Sequence, residues 1–230
     1  MAPLFFSLSV YNAAYMKPKI PKIKILYNGL IDPIFIFYCQ NNPELKKRGW
    51  NDWVPPSKEE ILRRIKAYKE EWEKYEEKIL TAMTEILSLE FINQVIDVNI
   101  VSGLSRAMSN PIIIKSGFSP SEFVDVLAHE LIHKLFQDNV DIYPWKILQE
   151  MFPNEKDKTV LNHIITNAVL MYIFVDILKD QSRLDINLES SKNADSDSYA
   201  KAWGIVKERG HINLIKELKR KIEENKKLPL

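Results

Sequence analysis

SPSEFVDVLAHELIHKLF, residues Ser119 to Phe136, is the stretch from which the rest of the chain is best read. Its opening specifies a helix start. Ser119 stands as the N-cap, Pro120 as the first helical residue and Glu122 as the third, so hydroxyl and carboxylate each satisfy an orphan amide. Phe118 and Phe123 flank the cap as a hydrophobic staple. Further along, His129 and His133 are four residues apart and share one helix face, so both imidazoles can point at a single ion. Glu130 projects beside them, near where water on that ion would sit. A zinc ion (Zn2+) lowers the pKa of such water toward neutrality and the carboxylate takes its proton. His129-Glu130-Leu131-Ile132-His133 is therefore the HExxH spacing that metal-assisted hydrolysis requires of a helix. Val126, Leu127, Ala128, Leu131, Ile132 and Leu135 suit a helix buried beneath such a site, and Lys134 is the charged exception.

Two imidazoles do not hold a catalytic zinc, so a third ligand is required. A metzincin continuation would place Gly and His where Phe136 and Asn139 stand, and the inverted HxxEH order is absent. What remains resembles the gluzincin branch of the zincin metallopeptidases. There a downstream helix carries Asn-Glu-x-x-x-Asp, its Glu being the third ligand and its Asp orienting a ligand histidine. Asn162-His163-Ile164-Ile165-Thr166-Asn167 falls into that register, thirty residues past His133, with His163 in place of the glutamate and Asn167 in place of the aspartate. Three imidazoles with an open fourth position form a recognised catalytic zinc sphere. The resemblance thus implies His129, His133 and His163 as ligands, with Asp141, Glu150 and Asp176 in reserve. Asn167 would accept a hydrogen bond from a ligand ring. It further implies Glu130 as general base and His211 as donor to the oxyanion, with Tyr172 and Tyr199 as rivals. The strand before the active-site helix, here Pro111–Lys115, would be the sheet edge that takes up extended peptide.

Working outward, Lys22–Tyr27 and Pro33–Cys39 read as short strands parted by a turn at Asn28 and Gly29. Ser57 and Glu60 form a capping box for a long helix whose stripe runs Ile61, Ile65, Tyr68, Trp72, Tyr75, Ile79, Ala82 and Ile86. Trp50 and Trp53 are expected to anchor the loop before it. Gln94–Val101 and Pro111–Lys115 return to strand character. Downstream, Tyr143–Met151, Lys158–Lys179, Ser198–Glu208 and Ile212–Glu224 read as helices, and Gln181–Asp197 as a polar linker. The expected class is α+β and zincin-like: a small N-terminal mixed sheet with a long backing helix, an active-site helix and a helical C-terminal part. An apolar leader or arm over 1–16 would precede one domain over 17–230. Residues 17–118 would hold mainly the strands and backing helix, 119–180 the active-site and third-ligand helices, and 181–230 the C-terminal helices.

The 230 residues carry 32 basic and 31 acidic side chains, a net charge of +1 that excludes a broadly cationic nucleic-acid binder. Cys39 alone permits neither an intramolecular disulfide nor a cysteine zinc module, and is expected in the core. The apolar run from Val160 to Leu178 approaches membrane-spanning length, but Asn162, His163, Asn167 and Asp176 favour a buried helix over stable membrane insertion. The first sixteen residues lack the basic start of a secretory signal, leaving Met16 as an alternative start and cytoplasmic residence as the default, with secretion open. Two readings of function follow: a zinc-dependent metallopeptidase acting on peptide or protein substrates, or a non-catalytic metal-binding or interaction protein on the same scaffold. The motif alone also admits a non-peptide amide as substrate.

Overall fold

The computed structural model describes residues 20–226 apart from 144 and 195. The expected leader and the alternative start at Met16 lie outside the described residues. The fold is mixed α+β, with a small four-stranded mixed sheet and ten α-helices among the described residues. The strands are β1 (Lys22–Tyr27), β2 (Val95–Val101), β3 (Met108–Ser109) and β4 (Ile112–Lys115), in the order β1-β2-β4-β3. β1, β2 and β4 are parallel, and β3 is antiparallel to β4.

Alternation along the strands divides their side chains between two faces. Ile23, Ile25, Ile96, Val98, Ile100, Ile112 and Ile114 join the main core. Ile113 points the other way, into a small cluster with Val101 and Leu104. That second face is covered by α1 (Asp32–Asn41), whose Phe35 packs there together with Ile31 just before the helix. The stretch Pro33–Cys39, expected as a strand, is therefore helical. Its unbroken apolar run suits either element, and what decides is the uncovered sheet face plus a proline tolerated in the first helical turn. Asp32 secures the start: its buried carboxylate accepts from the Ser102 N–H and hydroxyl, both at 2.6 Å, and from the Tyr27 hydroxyl at 2.8 Å.

A three-residue α2 (Pro43–Leu45) and a π turn over Lys46–Trp50 lead to the backing helix. Trp50 and Trp53 pack at 5.6 Å between ring centroids. Gly103 makes room for Trp53, since a Cβ there would fall 2.5 Å from the indole. The expected single helix is two, α3 (Lys58–Trp72) and α4 (Glu76–Leu87), broken by a turn at 73–75. Neither glycine nor proline marks the break. Beyond it the Glu76 carboxylate accepts from the Ile23 N–H of edge strand β1 at 3.2 Å. Ser57 does cap α3 by accepting from the Glu60 N–H, but the Glu60 carboxylate turns to Arg63 and Arg64.

The full capping box forms at α5 (Pro120–Asp138), where the Ser119 N–H donates to Glu122 at 2.8 Å and the Glu122 N–H donates to the Ser119 hydroxyl at 3.3 Å. Phe123 is fully buried and stacks on Tyr68 of α3 at 4.2 Å. The remaining helices are α6 (Trp145–Met151), α7 (Lys158–Met171), α8 (Gln181–Lys192), α9 (Asp197–Arg209) and α10 (His211–Lys226). α7 continues as a π turn over Tyr172–Ile177. The expected linker Gln181–Asp197 is mostly α8, opened by Asp180, which accepts from the Ser182 and Arg183 N–H groups. Its polar surface hides no clear apolar stripe, which explains why periodicity missed it. The segment Lys158–Ile177 is long and apolar enough to cross a bilayer, yet most of it is buried within the fold.

Candidate metal centre

Two histidines come from α5 and one from α7. Asp157 caps α7, accepting from the Thr159 N–H at 2.7 Å and the Val160 N–H at 3.4 Å. One turn inside, the His163 Nδ1–H donates to the Thr159 carbonyl at 2.7 Å. This bond selects the tautomer that leaves Nε2 as a lone-pair donor. The ring centroids of His163 lie 5.3 Å from His129 and 5.2 Å from His133. The Nε2 atoms of His129 and His133 are 3.0 Å apart, close to the ~3.3 Å that two imidazoles take on a tetrahedral zinc. One ring nitrogen from each of the three lies within 4.8 Å of the others, so the triad can hold a metal ion.

The electrostatics suit ligands. Burial holds all three imidazoles below the usual histidine range, His133 down to about 3. The neighbouring rings lower His129 and His133 further. Neutral imidazole is the metal-binding form, so nothing needs to be deprotonated for an ion to enter near pH 7. Glu130 lines the same cleft and is nearly buried; desolvation pushes its carboxyl up to about 7. A carboxyl poised there can accept a proton and give it back.

The cleft, about 660 Å³, runs between α5, α7, the β2–β4 connection and α8–α9. Asn167 lines it one turn past His163, but among the described residues its amide makes no hydrogen bond to a ligand ring. The His163 ring is held instead by a backbone carbonyl, which residue identity alone does not signal. His211 does not line the cleft; its Nε2 pairs with Asp176 at 2.6 Å, where α10 meets the turn after α7. Its expected part at the oxyanion therefore has no geometric support. Tyr199 does line the cleft, edge-on to the His163 ring at 4.7 Å. Tyr172 is not among the lining residues. The reserve ligands are elsewhere too: Asp176 is with His211, Glu150 pairs with Lys146 and Lys221, and Asp141 lies outside the triad.

Lys134 is reconciled with its buried helix by an ion pair to Asp138, one turn on, with both side chains largely buried. That spacing was readable from the sequence. A second buried pair was not: Asp125, on the cleft wall, meets Arg183 of α8 across 58 residues. The substrate-edge expectation also changes. β4 is paired on both sides, by β2 and β3, so its backbone is taken; among the described residues the strand with an unpaired side next to the cleft is β3. Met108 and Ser109 form a strand too short for sequence periodicity to mark.

No family model, curated protein or solved structure matches this chain.

Proposed function

We propose that this chain is a zinc-dependent hydrolase of peptide bonds, a zincin-like protein with three histidine ligands. The observation that carries the reading is the convergence of His129, His133 and His163 from two helices, with Glu130 beside them in one cleft. Zinc held by such a triad supplies a Lewis acid that acidifies water and polarises a carbonyl. Glu130 takes the proton from the attacking water and delivers it to the departing nitrogen, a task open to a carboxylate lining the same cleft as the triad. Tyr199 stands beside the ligand His163, where a phenolic hydroxyl can donate to the oxygen that becomes negative. An extended substrate is accommodated along β3, adding a strand to the sheet.

The test combines metal content with turnover. The purified protein is expected to bind one equivalent of zinc, and His163→Ala to weaken that binding at least about tenfold, as even losing an outer-shell partner can do. Glu130→Gln should keep the metal and lower peptide hydrolysis by about 10²–10⁴-fold. Full turnover by Glu130→Gln refutes the mechanism. A zinc-loaded but inert wild-type protein favours the non-catalytic reading.

A further inference from the structure

Lys115 ends β4 with its side chain in the cleft that holds the histidines. Its ammonium lies 4.8 Å from the Phe118 ring centroid and 5.9 Å from that of Trp50. Among the described residues no carboxylate pairs with it. Of the two acidic groups acting on it from a distance, Glu122 is committed to the Ser119 N–H, and Cys39 is a buried thiol whose pKa burial pushes up. Burial accordingly pulls the Lys115 pKa down. An apolar side chain of the same length would pack between these rings without that desolvation penalty. A cation kept half-buried, walled by aromatic faces and open to the cleft, is an anion site awaiting its counter-charge.

We propose that Lys115 forms a carboxylate-binding subsite in the cleft that holds the histidine triad, so that the molecules taken into the cleft carry an acidic group as well as the bond presented to the metal. The position of that bond rests on the function proposed above; the subsite itself does not. The carboxylate comes either from an aspartate or glutamate side chain or from a peptide C-terminus. Arg106 lines the same cleft, its guanidinium 5.9 Å from the Tyr199 ring. Two carboxyl groups line the cleft: Asp125 is occupied by Arg183, and Glu130 stands next to His129 on α5.

The experiment is calorimetric titration of the full chain, zinc-loaded and chelator-treated, with short peptides of three kinds. One has both ends blocked and an internal glutamate, one has glutamine in its place, and one carries glutamine with a free C-terminal carboxylate. The wild type should prefer one carboxylate-bearing peptide over the blocked glutamine peptide by about tenfold or more, the scale of a charge-assisted bond. The peptide that shows this preference identifies the source. Lys115→Met should erase it and Lys115→Arg restore part of it, while zinc content stays the same in both. A preference that survives Lys115→Met, or no preference in the wild type, overturns the subsite. Lys115-dependent preference in both zinc-loaded and chelator-treated protein, without hydrolysis, upholds the subsite and counts against the peptidase reading alone.

Discussion

Replacing Arg183 by leucine probes what ties α8 to α5. Arg183 and Asp125 are 4% and 6% exposed, and the guanidinium also lies 4.7 Å from the Tyr75 ring. Removing one partner of such a pair typically costs about 3–5 kcal/mol, because the other charge is left buried. Here the loss has an escape. Burial already pushes the Asp125 carboxyl up to about 6, with Arg183 pulling against it. Without Arg183 that pKa rises further, and the group can take up a proton instead of remaining an unpaired anion. The sign follows: an acid whose folded pKa exceeds its unfolded value holds more protons when folded, so stability falls as pH rises between the two values. The slope is about 1.4 kcal/mol per pH unit. Arg183→Leu should therefore be only mildly destabilised relative to wild type near pH 5 and severely so near pH 8. Urea unfolding at the two pH values measures this, and adding Asp125→Asn should flatten the difference. A penalty equal at both pH values, or below about 1 kcal/mol at pH 8, would refute the account of the pair.

Two further substitutions test other packing statements. Gly103→Ala would drive a methyl into the Trp53 indole, 2.5 Å away, and should cost about 1–3 kcal/mol in urea unfolding with a change in tryptophan emission. Lys134→Met leaves the Asp138 carboxylate without its ion-pair partner, although Asp138 still accepts from the Ile92 N–H. About 1–3 kcal/mol of stability should be lost while zinc affinity stays unchanged. A large drop in affinity would mean that this pair positions the histidines.

The parts legible in the sequence were those governed by neighbours a few residues apart. The Ser119–Glu122 box, the His129–His133 face and the existence of strands β1, β2 and β4 all follow from local spacing. His163 was reachable because a family resemblance supplied a register that periodicity does not. What escaped depends on distant partners. Pro33–Cys39 is helical because a sheet face needs covering, and the α3–α4 break has no local mark. α8 lacks an apolar stripe because much of its hold on the fold is an ion pair and a few buried side chains. His211 misled because a histidine at a helix junction carries no indication of the acid it will meet, here Asp176.

Asp157 has a consequence for how the centre comes into being. One of its oxygens caps α7 and the other accepts the Ser198 hydroxyl from α9, next to Tyr199. The two α5 rings are aligned whenever that helix exists, since only local geometry joins them. The third depends on the packing of α7 against α5, and this one carboxylate ties α7 in turn to α9. A three-ring site thus exists only where α5 and α7 are packed together, since α5 by itself supplies two of the rings.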